Sequence, residues 1–140
     1  MSTSVQTKQE FMTPAQVTDG AANAQGVQPA ALVGTWTNVN ASTRDIVKVV
    51  IAASGTGITV QAFGACTPTP CNWGTVQGTA YAANVSSSAA VAFTAQFRFS
   101  FSQVTLVGNL AGNLLNIEHF THFTDNSGRS DYASVDQMKK

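Results

Sequence analysis

The chain has 140 residues, 44% of them hydrophobic and 10% charged, with seven basic and seven acidic side chains. That length supports one domain around one core. The balanced charge gives no basic patch for nucleic acid and no acidic run for a cationic partner. No apolar run reaches the roughly 18–20 residues that a membrane-spanning helix needs.

Residues 1–31 are rich in Ala, Gln, Thr, Asn and Gly and are expected to form a largely flexible extension. Met1 to Glu10 lacks the basic-then-apolar order of a signal peptide, so a cytoplasmic location is expected. Within the extension, Thr13-Pro14-Ala15-Gln16 offers an N-cap, a proline at the first helical position and a Gln three residues after the cap. Met12 and Val17 are placed as a hydrophobic staple, which predicts a turn or two of helix over about 14–20. A solvated linker is the competing reading.

From Leu32 the chain reads as strand after strand, and residues 32–140 are taken as the domain. Strands are predicted at 32–39, 45–53, 57–63, 73–82, 89–101, 103–110, 114–124 and near 131–136. The clearest is Val91-Ala92-Phe93-Thr94-Ala95-Gln96-Phe97-Arg98-Phe99-Ser100-Phe101-Ser102, where large apolar side chains take every second position. Strand side chains alternate faces, so this segment presents an aromatic wall and a polar one. Turn chemistry separates the runs, as in Ser54-Gly55-Thr56-Gly57, Ala111-Gly112-Asn113 and Asp125-Asn126-Ser127-Gly128. Connections this short join antiparallel neighbours. The predicted fold is all-β, an eight-stranded antiparallel up-and-down β-barrel, with a two-sheet sandwich as the rival.

The second strand is apolar on both faces. Strict alternation sets Ile46 and Val50 against Val47, Val49 and Ile51, with Lys48 the only charge among them. Such a strand needs cover outside the barrel as well as inside. Together with the sparse charge, this points to a homo-oligomer, a dimer or tetramer. Folding of the N-terminal segment over the strand is the other way to cover it.

Cys66 and Cys71 flank Thr67-Pro68-Thr69-Pro70, a stiff loop that could close as a disulfide or hold two inert thiols. In a reducing cytoplasm the pair would stay open. A zinc site with His119 and His122 is disfavoured, because structural sites pair cysteines at closer spacing and positions 119 and 122 face opposite ways on a strand. No metal and no cofactor is expected.

Catalytic patterns are scarce. Glu118, Phe120 and His122 share one strand face, so a small barrel enzyme using Glu118 and His122 is one alternative function. There is no GxSxG elbow, phosphate loop, dinucleotide turn or HExxH. No catalytic residue is nominated.

Gly34-Thr35-Trp36-Thr37-Asn38 carries a resemblance. A Gly-x-Trp in the first strand is similar to the signature of calycin barrels, where the Trp packs on the barrel floor. The longer run from Leu32 to Ser42 resembles the start of an avidin or streptavidin. In that family an Asn just after the motif and a Ser four residues later bind the ureido group of biotin, and Asn38 and Ser42 stand at that spacing. Residues 93–102 are similar to the family's fifth strand, with Phe97, Phe99, Ser100 and Ser102 at pocket positions. Two departures fall on pocket tryptophans, where this chain has Phe97 and Phe120. The Thr-Gly-x-Tyr turn is absent from residues 57–63. Tyr132 is placed to replace the Trp that reaches across from a neighbouring subunit. The chain ends at Lys140, near where a late acidic or amide ligand would fall.

The resemblance implies a non-enzymatic barrel that binds a small, partly apolar molecule, though not biotin tightly. Asn38 and Ser42 would orient its polar head. Phe97, Phe99, Ser100, Ser102 and Phe120 would line its body, above Trp36 as the floor. The remaining alternative is a carbohydrate- or protein-binding module working from the loops at 66–73 and 125–129. No membrane or nucleic-acid partner is expected.

Overall fold

The structure, a computed structural model, describes residues 26–55 and 57–140, so the helical turn expected after Thr13 lies outside it. The described residues form no α-helix, and none therefore long and apolar enough to cross a membrane. Eight strands follow one another: β1 (Gly34–Asn38), β2 (Ile46–Ser54), β3 (Gly57–Gly64), β4 (Cys71–Ala82), β5 (Ala90–Arg98), β6 (Ser102–Ala111), β7 (Leu114–Phe123) and β8 (Tyr132–Lys139). Each pairs antiparallel with the next, and β1 pairs with β8 to close the barrel. The fold is the expected up-and-down barrel and not the sandwich.

Alternation explains why these residues make a wall with an inside. On β3, Ile58, Val60 and Ala62 are buried while Thr59, Gln61 and Phe63 are only partly covered. On β7, Leu115, Ile117, His119 and Thr121 are buried between exposed Glu118, Phe120 and His122. Eight strands enclose a space that side chains alone can fill. The fit is close at Gly108, which pairs with Phe93 across β5 and β6; a Cβ there would lie 2.1 Å from the Phe93 ring. The Ala111–Leu114 hairpin turns through Gly112 at φ +64°, the left-handed region that glycine enters without strain.

One departure from strict alternation lies in β2. The ladder to β3 slips between Ile46 and Lys48, leaving Val47 as the extra residue of a bulge. Ile46 therefore joins Val49 and Ile51 inside, which corrects the expected grouping of Ile46 with Val50. Lys48 and Val50 stay outside, with the Lys48 ammonium 4.4 Å over the Phe63 ring.

The seam between β1 and β8 is short, with only Thr37–Lys139 and Asn38–Met138 in register. Below it, Trp36 is buried as a floor and its Nε1 donates to the Leu32 carbonyl at 2.8 Å. Residues just before β1 belong to this packing. The Gln28 backbone bonds to Ser88 and Ala90, and Leu32 is fully buried. The antiparallel order puts the connections at 39–45, 65–70, 99–101 and 124–131 at one end, here the upper end. Cys66 and Cys71 are joined there as a disulfide with Cα atoms 5.5 Å apart. This bond and the expected cytoplasmic location belong to different redox environments.

The contact at Gly108 sets a packing prediction. Gly108→Ala should destabilise the protein by about 1–3 kcal/mol, the usual cost of overpacking. Combining it with Phe93→Leu should cost less than the sum of the two changes, because the smaller side chain makes room. Urea denaturation of the single and double variants measures both quantities.

Candidate functional site at the upper end of the barrel

Buried polar side chains are found where hydrogen bonds meet them, so their placement is informative. Among the described residues the buried polar side chains are Asn38, Ser102, His119 and Thr121. All four stand in the upper half: Asn38 ends β1, Ser102 begins β6, and His119 and Thr121 lie late in β7. The lower half is lined by apolar groups such as Trp36, Ile58, Phe93, Leu115 and Met138.

A network joins this end. Asp45, just before β2, turns its carboxylate inward. Its Oδ1 accepts from His119 Nε2 at 2.6 Å, and its Oδ2 accepts from Ser134 Oγ at 2.5 Å. The Asn38 amide donates to the Ile46 carbonyl at 2.8 Å and to Asp136 Oδ1 at 3.0 Å, while its oxygen accepts from the Asn40 backbone at 2.8 Å. Among the described residues two buried side-chain atoms have no partner, Nδ1 of His119 and Oδ2 of Asp136. Since Nε2 donates to a carboxylate, a neutral His119 leaves Nδ1 as a bare lone pair. Donor atoms of Asp45, His119 and Asp136, one from each, lie within 4.8 Å of one another. This is the group of residues that could hold a cation. It is not a nucleophile relay, because Ser134 and His119 both bond Asp45 and not each other.

The two carboxyls are driven apart in acidity. Burial, reinforced by the neighbouring Asp45, pushes Asp136 up to about 6 from an ordinary 3.8. Burial also acts upward on Asp45, but the bonds from His119 and Ser134 outweigh it and hold that carboxyl at about 2.

Aromatic rings complete the upper interior. Trp73 packs edge-on against Phe97 and Phe99, with centroids 5.7 and 5.6 Å away. Its indole lies so close over Gly64 that a Cβ there would meet Nε1 at 2.8 Å. Tyr132 meets His119 edge-on at 5.9 Å.

The residues nominated from sequence divide into two groups. Asn38, Trp36, Phe97, Phe99 and Ser102 line the interior. Ser42 and Ser100 are exposed in the connections above it. Phe120, 44% exposed, lies on the outer wall of β7, away from the interior that Asn38 faces. Glu118 and His122 share that outer face, and His122 Nδ1 bonds Asp131 at 2.7 Å, so the two do not meet inside the barrel. Phe120, His122, Asp131, Tyr132, Gln103 and Thr105 line an open outer groove of about 400 Å³. The loop at 125–129 is bonded largely to itself, with Arg129 paired to Asp125 and stacked on Phe123.

Sequence reasoning did not find Asp45, Ser134 or Asp136, and weighed His119 only as a zinc partner of the cysteines. One signal was readable: Asp45 immediately precedes β2, Asp136 lies within β8, and His119 falls on the apolar phase of β7.

Linkage sets the pH dependence. Asp136 holds its proton more tightly folded than unfolded, so its contribution is full below pH 3.8 and is lost as pH rises through about 6. Asp45 acts oppositely; its contribution is full above pH 3.8 and is lost as pH falls through about 2. The melting temperature of Asp136→Asn should therefore fall less than that of the unmodified protein between about pH 4 and 6.5. Parallel thermal melts across that range test it, and identical slopes would contradict the assignment.

Against known protein families, curated proteins and solved structures, the chain matches none.

Proposed function

We propose that this chain is a non-enzymatic barrel that binds one small, partly apolar molecule at its upper end. The observation that carries the reading is the division of the interior: a filled apolar floor below, and above it every buried polar side chain of the described residues, with buried atoms left without partners on His119 and on the neighbouring, half-buried Asp136. A fold gains nothing from unpaired buried polar groups, whereas a ligand that meets them gains orientation and selectivity. Asn38 is held by three bonds and so presents a fixed amide. Asp136, beside it, accepts one of these bonds through Oδ1 and keeps a buried Oδ2 without a partner. Phe97, Phe99 and Trp73 offer the apolar surface for the ligand's body.

Binding is favoured over catalysis because the part-buried Ser134–Asp45–His119 group does not align a nucleophile with a base. A homo-oligomer, dimer or tetramer, is part of the proposal. Phe120 and Val135 are exposed on the outer faces of β7 and β8, Val135 at 68%.

Native mass spectrometry of the protein purified from its own cell lysate tests both statements at once. The expected spectrum shows a dimer or tetramer with a retained small molecule, and Asn38→Ala should lose that molecule while keeping its fold. A bare monomer would refute both.

Biotin itself should bind no tighter than about micromolar. Phe97 replaces a pocket Trp, and Phe120 on the outer wall contributes nothing to the interior. Each missing aromatic contact costs about 25 cal/mol per Å² of lost apolar burial. Isothermal calorimetry measures this, and a nanomolar affinity would overturn the expectation.

A further inference from the structure

We propose that Asp45, His119 and Asp136 bind one divalent transition cation, of the zinc or manganese class, at the upper end of the barrel. The inference rests on the reading of that end as the binding site and adds what would sit in it.

Four observations converge. The first is spacing. One donor atom from each residue lies within 4.8 Å of the other two. Donors sharing a cation at about 2.1 Å stand roughly 3–3.5 Å apart, so His119 and Asp45, now 2.6 Å apart, would part slightly to admit it while Asp136 closes in. The second is an unpartnered buried atom, Oδ2 of Asp136, whose lone pairs meet no donor. His119, which would present Nε2 to the cation in place of its proton, is only 1% exposed. A buried lone pair with no donor is satisfied by a cation as well as by a proton.

Charge is the third. Two carboxyls face one imidazole, and among the described residues no Lys or Arg pairs with either of them. The fourth is bracing. Ser134 holds Asp45 by Oδ2, and Asn38 holds Asp136 by Oδ1. Each carboxylate is thus oriented through one oxygen by a residue outside the set, as outer partners do for metal ligands, while Asp45 Oδ1 faces His119 Nε2. The Tyr132 ring lies edge-on to His119 and limits its rotation.

The donor set chooses the class of ion. An imidazole with two carboxylates suits zinc, manganese or ferrous iron, whereas calcium and magnesium take oxygen ligands almost alone. Three protein ligands also leave a coordination position open. The polar head of the bound small molecule would complete it.

The test uses the full chain, untagged and stripped with a chelator, titrated with zinc chloride in a calorimeter. One zinc per chain is expected. Asp136→Asn and His119→Gln should each weaken binding by at least about tenfold, and Asn38→Ala by roughly ten- to a hundredfold through lost orientation. His122→Ala, on the outer wall, should leave it unchanged. Circular dichroism shows whether each variant is folded. Should any fail to fold, nuclear magnetic resonance of the unmodified protein decides the question, because the chain has two histidines. Zinc should shift the His119 imidazole signals and leave those of His122 in place. No saturable zinc binding, undiminished binding in folded Asp136→Asn and His119→Gln, or a shift confined to His122 would each overturn the proposal. Failure here is separable from failure of the small-molecule reading, since native mass spectra of chelator-treated protein report a retained organic molecule independently.

Discussion

The first and last strands are held together by two residue pairs, a backbone bond from Val39 to the Gln137 carbonyl and one side-chain amide. Closure at this seam gives the other strands an inside. Without it, β1 and β8 would each expose an unpaired edge, and the alternating side chains would face solvent on both surfaces. Asn38 is the residue at which this closure and the proposed site coincide. Its amide reaches β8 through Asp136 and the start of β2 through the Ile46 carbonyl, so one side chain joins three elements. A group fixed in this way can present its remaining surface to a ligand without first losing rotamer freedom.

The two halves of the interior obey different physics. The lower half is a packing problem solved to the level of single carbons, as at Gly108 beneath Phe93. The upper half is an electrostatic problem left partly open. Asp45 receives two strong donors and keeps its charge, whereas Asp136 receives one and gives up part of its acidity. Removing charge from water is costly unless partners replace it. The fold bears that cost at the end of the barrel where the connecting loops give access, and nowhere among the apolar residues of the floor.

Much of the architecture was legible because alternation is a local property. The strand limits read from residues 57–63 and 114–124 fall within a residue of β3 and β7. The phase of β2 was not legible. A bulge depends on how one strand meets its neighbour, and the apolar run around Val47 gives no local mark of it. The same reason divides the site. Asn38 and Trp36 could be read from a short motif, and Phe97 from the phase of its own strand. The Asp45–His119–Ser134–Asp136 group is assembled across residues 74 and 89 positions apart. No spacing rule within one segment reveals such a meeting, because barrel closure creates it.

The direction of the seam has a mechanical consequence. β1 enters the barrel at the end where β8 leaves it, and the two pairs that join them, Thr37–Lys139 and Asn38–Met138, follow each other along the seam. Tension applied between the termini would load these pairs one after the other, as in a zip, and not together in shear. The barrel would therefore peel open at low force along β1 and β8, and the first side-chain contact to part beyond the ladder would be that of Asn38 with Asp136. Peeling that starts where β1 enters and β8 leaves would thus reach the opposite, polar end through Asn38.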